Sequence, residues 1–136
     1  MHLFNQINPS KEQFKHLLQT FPSETPICML NLIKYREKVP EMEASGKELY
    51  ERYMMNVMHF LRAAKGRLLW KGVVSSTLIG DDKDQPHLVF IVRYPDVDHF
   101  RNMLQDPEYQ KITNDRTLAL EYGGLIALEE EYWDGN

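Results

Sequence analysis

The chain has 136 residues, of which 43% are hydrophobic and 26% charged, and its formal net charge is −4. That length supports one domain with a true core, and the composition is that of an ordinary globular chain. The acidic balance and the lack of a long basic run argue against a nucleic-acid partner. No apolar stretch reaches the roughly 20 residues of a membrane-spanning helix, so no membrane role is expected.

The opening, MHLFNQINPS, lacks the charged start and long apolar region of a signal peptide. Cys28 is the only cysteine and cannot form an internal disulfide, so a cytoplasmic protein is expected. A first helix starts after Asn8-Pro9-Ser10. Ser10 and Gln13 fit a capping box, and Phe14, Leu17, Leu18 and Phe21 form one apolar face. This helix is an addition in front of the main pattern.

Residues 27–35, ICMLNLIKY, form a strand that is apolar on both faces. Asn31 interrupts one face, where burial would demand hydrogen-bond partners, either to hold a loop or to contact a ligand. Residues 36–45 are charged, contain Pro40 and read as a loop. A long helix follows over 46–65. Tyr50, Tyr53, Val57, Phe60 or Leu61, and Ala64 lie on its apolar face, and Met54, Met55 and Met58 widen it as adaptable filler. Gly66 ends that helix.

Residues 67–79 read as a second strand, with Trp70 and Gly72 sharing a face and Gly72 marking a bulge or a close approach. The solvated loop GDDKDQP then makes a hairpin into residues 88–94, LVFIVRY, the most strand-like stretch of the chain. Pro95 ends this third strand, and Asp96 stands where a helix cap belongs. His99, in the first turn, is expected to face solvent. Asp106-Pro107 breaks and restarts the helix. Its second half places Tyr109, Ile112, Arg116 and Ala119 on one stripe, ended by Gly123-Gly124. Residues 125–130 read as the last strand, and Tyr132 and Trp133 of the acidic tail are expected to pack back.

Arg116 is out of place on a sheet-facing stripe, because a buried guanidinium is costly unless paired. Three readings stay open: a packed stem with its head in water, an ion pair with an internal carboxylate, or an anion-binding group in a pocket.

The order, helix then β-α-β-β-α-β, predicts an α+β fold of the ferredoxin-like type, with two helical segments on one face of an antiparallel sheet. We expect residues 1–136 to form a single domain, with 1–25 as an N-terminal helical extension and 26–130 as the core. Helices on one side cannot cover strands that are apolar on both sides. The sequence therefore predicts a homodimer through the sheet faces.

Val92-Arg93-Tyr94-Pro95, Asp106-Pro107-Glu108-Tyr109-Gln110, the downstream Arg116 and the strand Met29-Leu30-Asn31-Leu32-Ile33-Lys34 together resemble the domain-of-unknown-function 1330 family over residues 26–130. The resemblance implies the dimeric α+β barrel and no established activity. Relatives on that fold include cofactor-free monooxygenases, small-molecule lyases and isomerases, and haem-handling enzymes, so the fold alone does not select a reaction. Two departures stand out. The N-terminal helix is extra, and Phe100-Arg101-Asn102-Met103 stands where many members carry a Trp-Tyr pair.

No histidine spacing, phosphate-cradling glycine loop, nucleophile elbow or cysteine cluster points to a metal, a cofactor or a catalytic group. The expectation is a small-molecule pocket between helices and sheet, with Asn31, Tyr53, Trp70, Arg93, Tyr109 and Arg116 near it. It would take a small anionic, aromatic or oxygenated metabolite, and any catalysis there would be cofactor-free proton transfer or oxygenation. The competing expectation is a non-catalytic binding or assembly module in which these polar residues serve the fold.

Overall fold

The computed structural model describes residues 6–135. His2 and the first half of the opening read above as lacking a signal peptide lie outside the described residues. The elements in order are α1 (Lys11–Thr20), β1 (Ile27–Tyr35), α2 (Gly46–Ala63), β2 (Arg67–Val73), β3 (Leu88–Tyr94), α3 (Val97–Gln105), α4 (Pro107–Ala119) and β4 (Leu120–Glu129). The four strands form one sheet in the order β2-β3-β1-β4. Every pairing is antiparallel. This is the α+β, ferredoxin-like arrangement.

Local chemistry explains the element boundaries. Both Ser10 before α1 and Ser45 before α2 close capping boxes, with Gln13 and Glu48 reaching back to the cap. Asp96 caps α3 by accepting from the His99 backbone N–H. Asp106 ends α3 and caps α4 by accepting from Glu108, with Pro107 in the first helical position. His99 is half-buried rather than free in solvent, because its ring also bonds Asp96 at 2.7 Å.

The helices lie against the sheet face made by Ile27, Met29, Ile33, Leu88, Phe90, Val92 and Tyr94, all 5% exposed or less. From α2, Leu49, Tyr50, Tyr53, Val57 and Phe60 are buried. An Arg52–Asp115 pair with two short bonds, 2.6 and 2.7 Å, ties α2 to α4. It is exposed on the Arg52 side and adds little to stability, but its fork geometry fixes relative position. The other sheet face carries Leu30, Leu32, Val89 and Ile91, all half-buried, and Ile126 at 39% exposure.

Five expectations need correction. The helix does not run to Gly123-Gly124. It stops at Ala119, its cap Leu120 is already extended, and both glycines lie within β4. Gly123 serves close approach instead, since a Cβ there would sit 2.6 Å from Arg116 Nη2. The second strand ends at Val73 rather than Ile79, with one further ladder bond from the Val74 N–H to the His87 carbonyl. Leu78 and Ile79 beyond it are more than nine-tenths exposed. The long helix stops at Ala63, and Lys65, not Gly66, takes the left-handed turn at φ 57°. Met55 points to solvent at 78% exposure, so the apolar face of α2 is narrower than its methionines suggest. Tyr132 and Trp133 are 89% and 74% exposed and do not pack back.

Candidate functional site

A cavity of about 1160 Å³ opens between the sheet, α2, α3 and α4, with α1 forming a wall. Its floor includes Met29, Asn31, Phe90, Val92 and Tyr94 of the sheet. Tyr50, Tyr53 and Val57 come from α2, Phe100 and Met103 from α3, and Tyr109, Gln110, Thr113 and Arg116 from α4. The helical spacing that put Tyr109 and Arg116 on one stripe turns both toward this space.

Four tyrosines give the cavity its character. The Tyr53 and Tyr109 hydroxyls bond each other at 2.8 Å. One of the two donates, so the acceptor's own O–H is unused in that bond. No hydrogen bond reaches the Tyr50 or Tyr94 hydroxyl among the described residues, yet no buried side-chain N or O atom there lacks a partner. Those two hydroxyls therefore reach accessible space. Burial pushes the Tyr50, Tyr53 and Tyr94 phenols far above their ordinary value, and nearby Arg116 only partly opposes this for Tyr50 and Tyr53. All three are neutral phenols across the ordinary pH range. They can donate or accept, but they are not resident anions.

Removing one hydroxyl of the central pair leaves its buried partner unsatisfied. Tyr109→Phe should therefore destabilise the fold by about 1 to 3 kcal/mol. Urea unfolding of the variant beside the wild type measures this. An unchanged midpoint would mean that the pair is not formed in solution.

Arg116 is the cation of the site. Its Nη1 donates to the Ile7 carbonyl at 2.5 Å and to Asn8 Oδ1 at 3.4 Å. Among the described residues it has no carboxylate partner. The internal ion pair weighed from the sequence is thus replaced by neutral oxygens from the N-terminal segment. A main-chain carbonyl has no side-chain signature, so this partner was not legible in advance. Asn31 donates to the Met29 carbonyl of its own strand at 3.1 Å and lines the cavity.

Of the six candidates, Asn31, Tyr53, Tyr109 and Arg116 come together around the cavity, and Trp70 and Arg93 do not. Arg93 pairs across β1 with Cys28, on the face away from the helices, and forms an ion pair with Glu130. The Glu130 carboxylate also takes the Cys28 thiol, and burial with that bond raises the thiol's pKa. Trp70 stands opposite Ile91 on that same outer face. It lies across Gly72 on the edge strand and is 56% exposed. Tyr94, Gln110 and Thr113 line the cavity without having been singled out. Tyr94 shares a strand face with Phe90 and Val92, which is the signal that could have found it. Among the described residues, no group of three or more His, Cys, Asp or Glu could hold a metal ion, and no helix is long and apolar enough to cross a membrane.

The family described as Domain of unknown function (DUF1330) matches residues 38–130. The chain belongs to that family. It is similar to a protein of unknown function from Rhodopseudomonas palustris, with 32% identity and a TM-score of 0.87, over 95% of this chain and 99% of that one. A dimeric protein of unknown function and ferredoxin-like fold from Bacteroides fragilis matches at 11% identity and TM-score 0.53, over 80% of this chain and 100% of its own. SnoaB, a cofactor-independent oxygenase from Streptomyces nogalater, matches at 13% identity and TM-score 0.50, over 82% and 99%. These last two likenesses are of fold alone. A comparison with curated proteins finds no match.

Proposed function

We propose that this DUF1330 protein binds a small anionic, aromatic or oxygenated metabolite in the cavity under α1, with Arg116 receiving its negative charge. One observation carries this reading. Among the described residues, a guanidinium on the wall of a largely apolar, tyrosine-lined cavity has only neutral oxygens as partners. A half-buried cation gains from an anion, and the carboxylate–guanidinium fork is the strong form of that contact. The aromatic walls favour a flat ligand, and the neutral phenols suit its oxygen substituents. The unused O–H of the Tyr53–Tyr109 pair is suited to donating a hydrogen bond to a ligand oxygen, the contact on which any cofactor-free chemistry here would build.

Thermal shift over matched pairs of aromatic carboxylates and their neutral amides tests the reading. Ligand bound only to the folded state stabilises it by about 2.7 kcal/mol at a hundred times Kd. Carboxylates are expected to raise the melting temperature of the wild type, amides to do so far less, and Arg116→Met to lose the difference. Equal shifts by acid and amide would contradict the assignment of Arg116.

We further infer a homodimer through the outer sheet face. The support is the half-buried row Leu30, Leu32, Val89 and Ile91, which no helix among the described residues covers.

A further inference from the structure

The segment from Gln6 to Phe21 is attached differently from the rest of the fold. No residue of α1 is fully buried, and Phe14, Leu17 and Phe21 line the cavity instead of filling it. The connection to β1 runs through Pro22 and Pro26, with Glu24 in the left-handed region at φ 54°. Among the described residues, three polar bonds hold the segment at its far end. The Gly123 N–H donates to the Gln6 carbonyl at 2.9 Å, and the other two bonds are those of Arg116 to Ile7 and Asn8. The remaining side-chain hydrogen bonds of residues 6–20 stay within the segment.

Both of the Arg116 bonds use Nη1. A guanidinium has five N–H groups in a flat fork. Among the described residues, Nε and Nη2 have no hydrogen bond, and neither is a sealed, unpartnered atom. The Nε–Nη2 edge is the one that pairs with a carboxylate through two parallel bonds.

We propose that residues 6–21 form a lid latched on Nη1 of Arg116, and that a ligand carboxylate seats on the Nε–Nη2 edge beneath it. The proposal rests on the cavity reading above and adds its regulation. Ligand and latch share one guanidinium without competing for the same hydrogens. The carboxylate supplies the charge that the latch oxygens lack, while the lid keeps water from that ion pair. Closure and ligand binding therefore strengthen each other by the same factor. Among the described residues, opening breaks a few polar bonds and uncovers a half-buried apolar stripe, which puts the lid at the low-stability end of the molecule.

Hydrogen exchange on the full chain tests this, with benzoate as the ligand probe and benzamide as its neutral control. Without ligand, Arg116→Met should speed exchange of the amides of residues 14–20 by about tenfold or more, with β3 as well protected as in the wild type. Phe14→Asp, which leaves Arg116 intact and removes the apolar seat, should do the same and should weaken benzoate binding by about tenfold or more. Saturating benzoate should slow lid exchange in the wild type, and benzamide should not. Wild-type lid exchange in Arg116→Met overturns the latch, whatever benzoate does. Faster lid exchange with benzoate bound overturns the shared-edge arrangement, because it would mean that ligand displaces the latch. Failure of benzoate to bind the wild type counts against the cavity reading, and the ligand-free Arg116→Met result then decides the latch by itself.

Discussion

Gly46→Ala should unfold this protein far more readily than a single added methyl group normally does. A Cβ at Gly46 would lie 2.2 Å from the Arg36 carbonyl oxygen, 2.3 Å from that of Ala119 and 2.7 Å from the Arg36 nitrogen. All three are backbone atoms, and they are bonded to one another's chains. The Arg36 N–H donates to Ala119 at 2.8 Å, and the Gly46 N–H donates to Arg36 at 3.0 Å. No rotamer change can make room. The end of β1, the start of α2 and the end of α4 would have to move apart. Overpacking of a tight site costs about 1 to 3 kcal/mol and occasionally more, and a clash confined to backbone belongs at or above the upper end. Since α2 carries Tyr50 and Tyr53, and α4 carries Tyr109 and Arg116, the cavity should loosen with the fold. Denaturant unfolding gives the loss directly. A midpoint close to that of the wild type would show that the crossing of these three segments is looser than 2.2 Å implies.

Ile91→Asp should separate the proposed dimer and leave the fold intact. Ile91 lies opposite Leu30 on one side and Trp70 on the other, on the sheet face turned away from the described helices. The change therefore adds no charge to the core of the single chain. In a two-fold dimer it places two carboxylates into one apolar interface. Desolvating each without a partner costs several kcal/mol, so the dissociation constant should rise by about a hundredfold or more. Sedimentation should give a wild-type dimer and a variant monomer at micromolar concentration, with the same far-ultraviolet circular dichroism. A wild-type monomer under those conditions contradicts the interface.

What the sequence disclosed and what it concealed follow from where each signal resides. The capping box at Ser10, the Asp96 cap and the Asp106-Pro107 break are local chemistry, and all were legible. The Ser45–Glu48 box before α2 is the same chemistry and went unread. Gly123 was not, because glycine is used both for free backbone angles and for close approach, and only the position of the Arg116 head tells them apart. Arg93 and Trp70 were drawn toward the cavity because β3 is apolar on both faces, and periodicity alone cannot say which face meets the helices. On β2 the bulge between Leu68 and Trp70 also breaks the two-residue alternation. Tyr53, Tyr109 and Arg116 were found together because helical spacing fixes a face. Their contacts with each other and with Ile7 depend on pairing between distant segments, which no local pattern carries.

The most direct measurement is a crystal structure of the protein grown with the aromatic carboxylate that most raises its melting temperature. The expected result is the ring in the cavity among Tyr50, Tyr53, Tyr94 and Tyr109, with its carboxylate on the Nε–Nη2 edge of Arg116 and the Ile7 carbonyl still on Nη1. A ligand bound elsewhere, or one in the cavity with its carboxylate turned away from Arg116, would contradict the account.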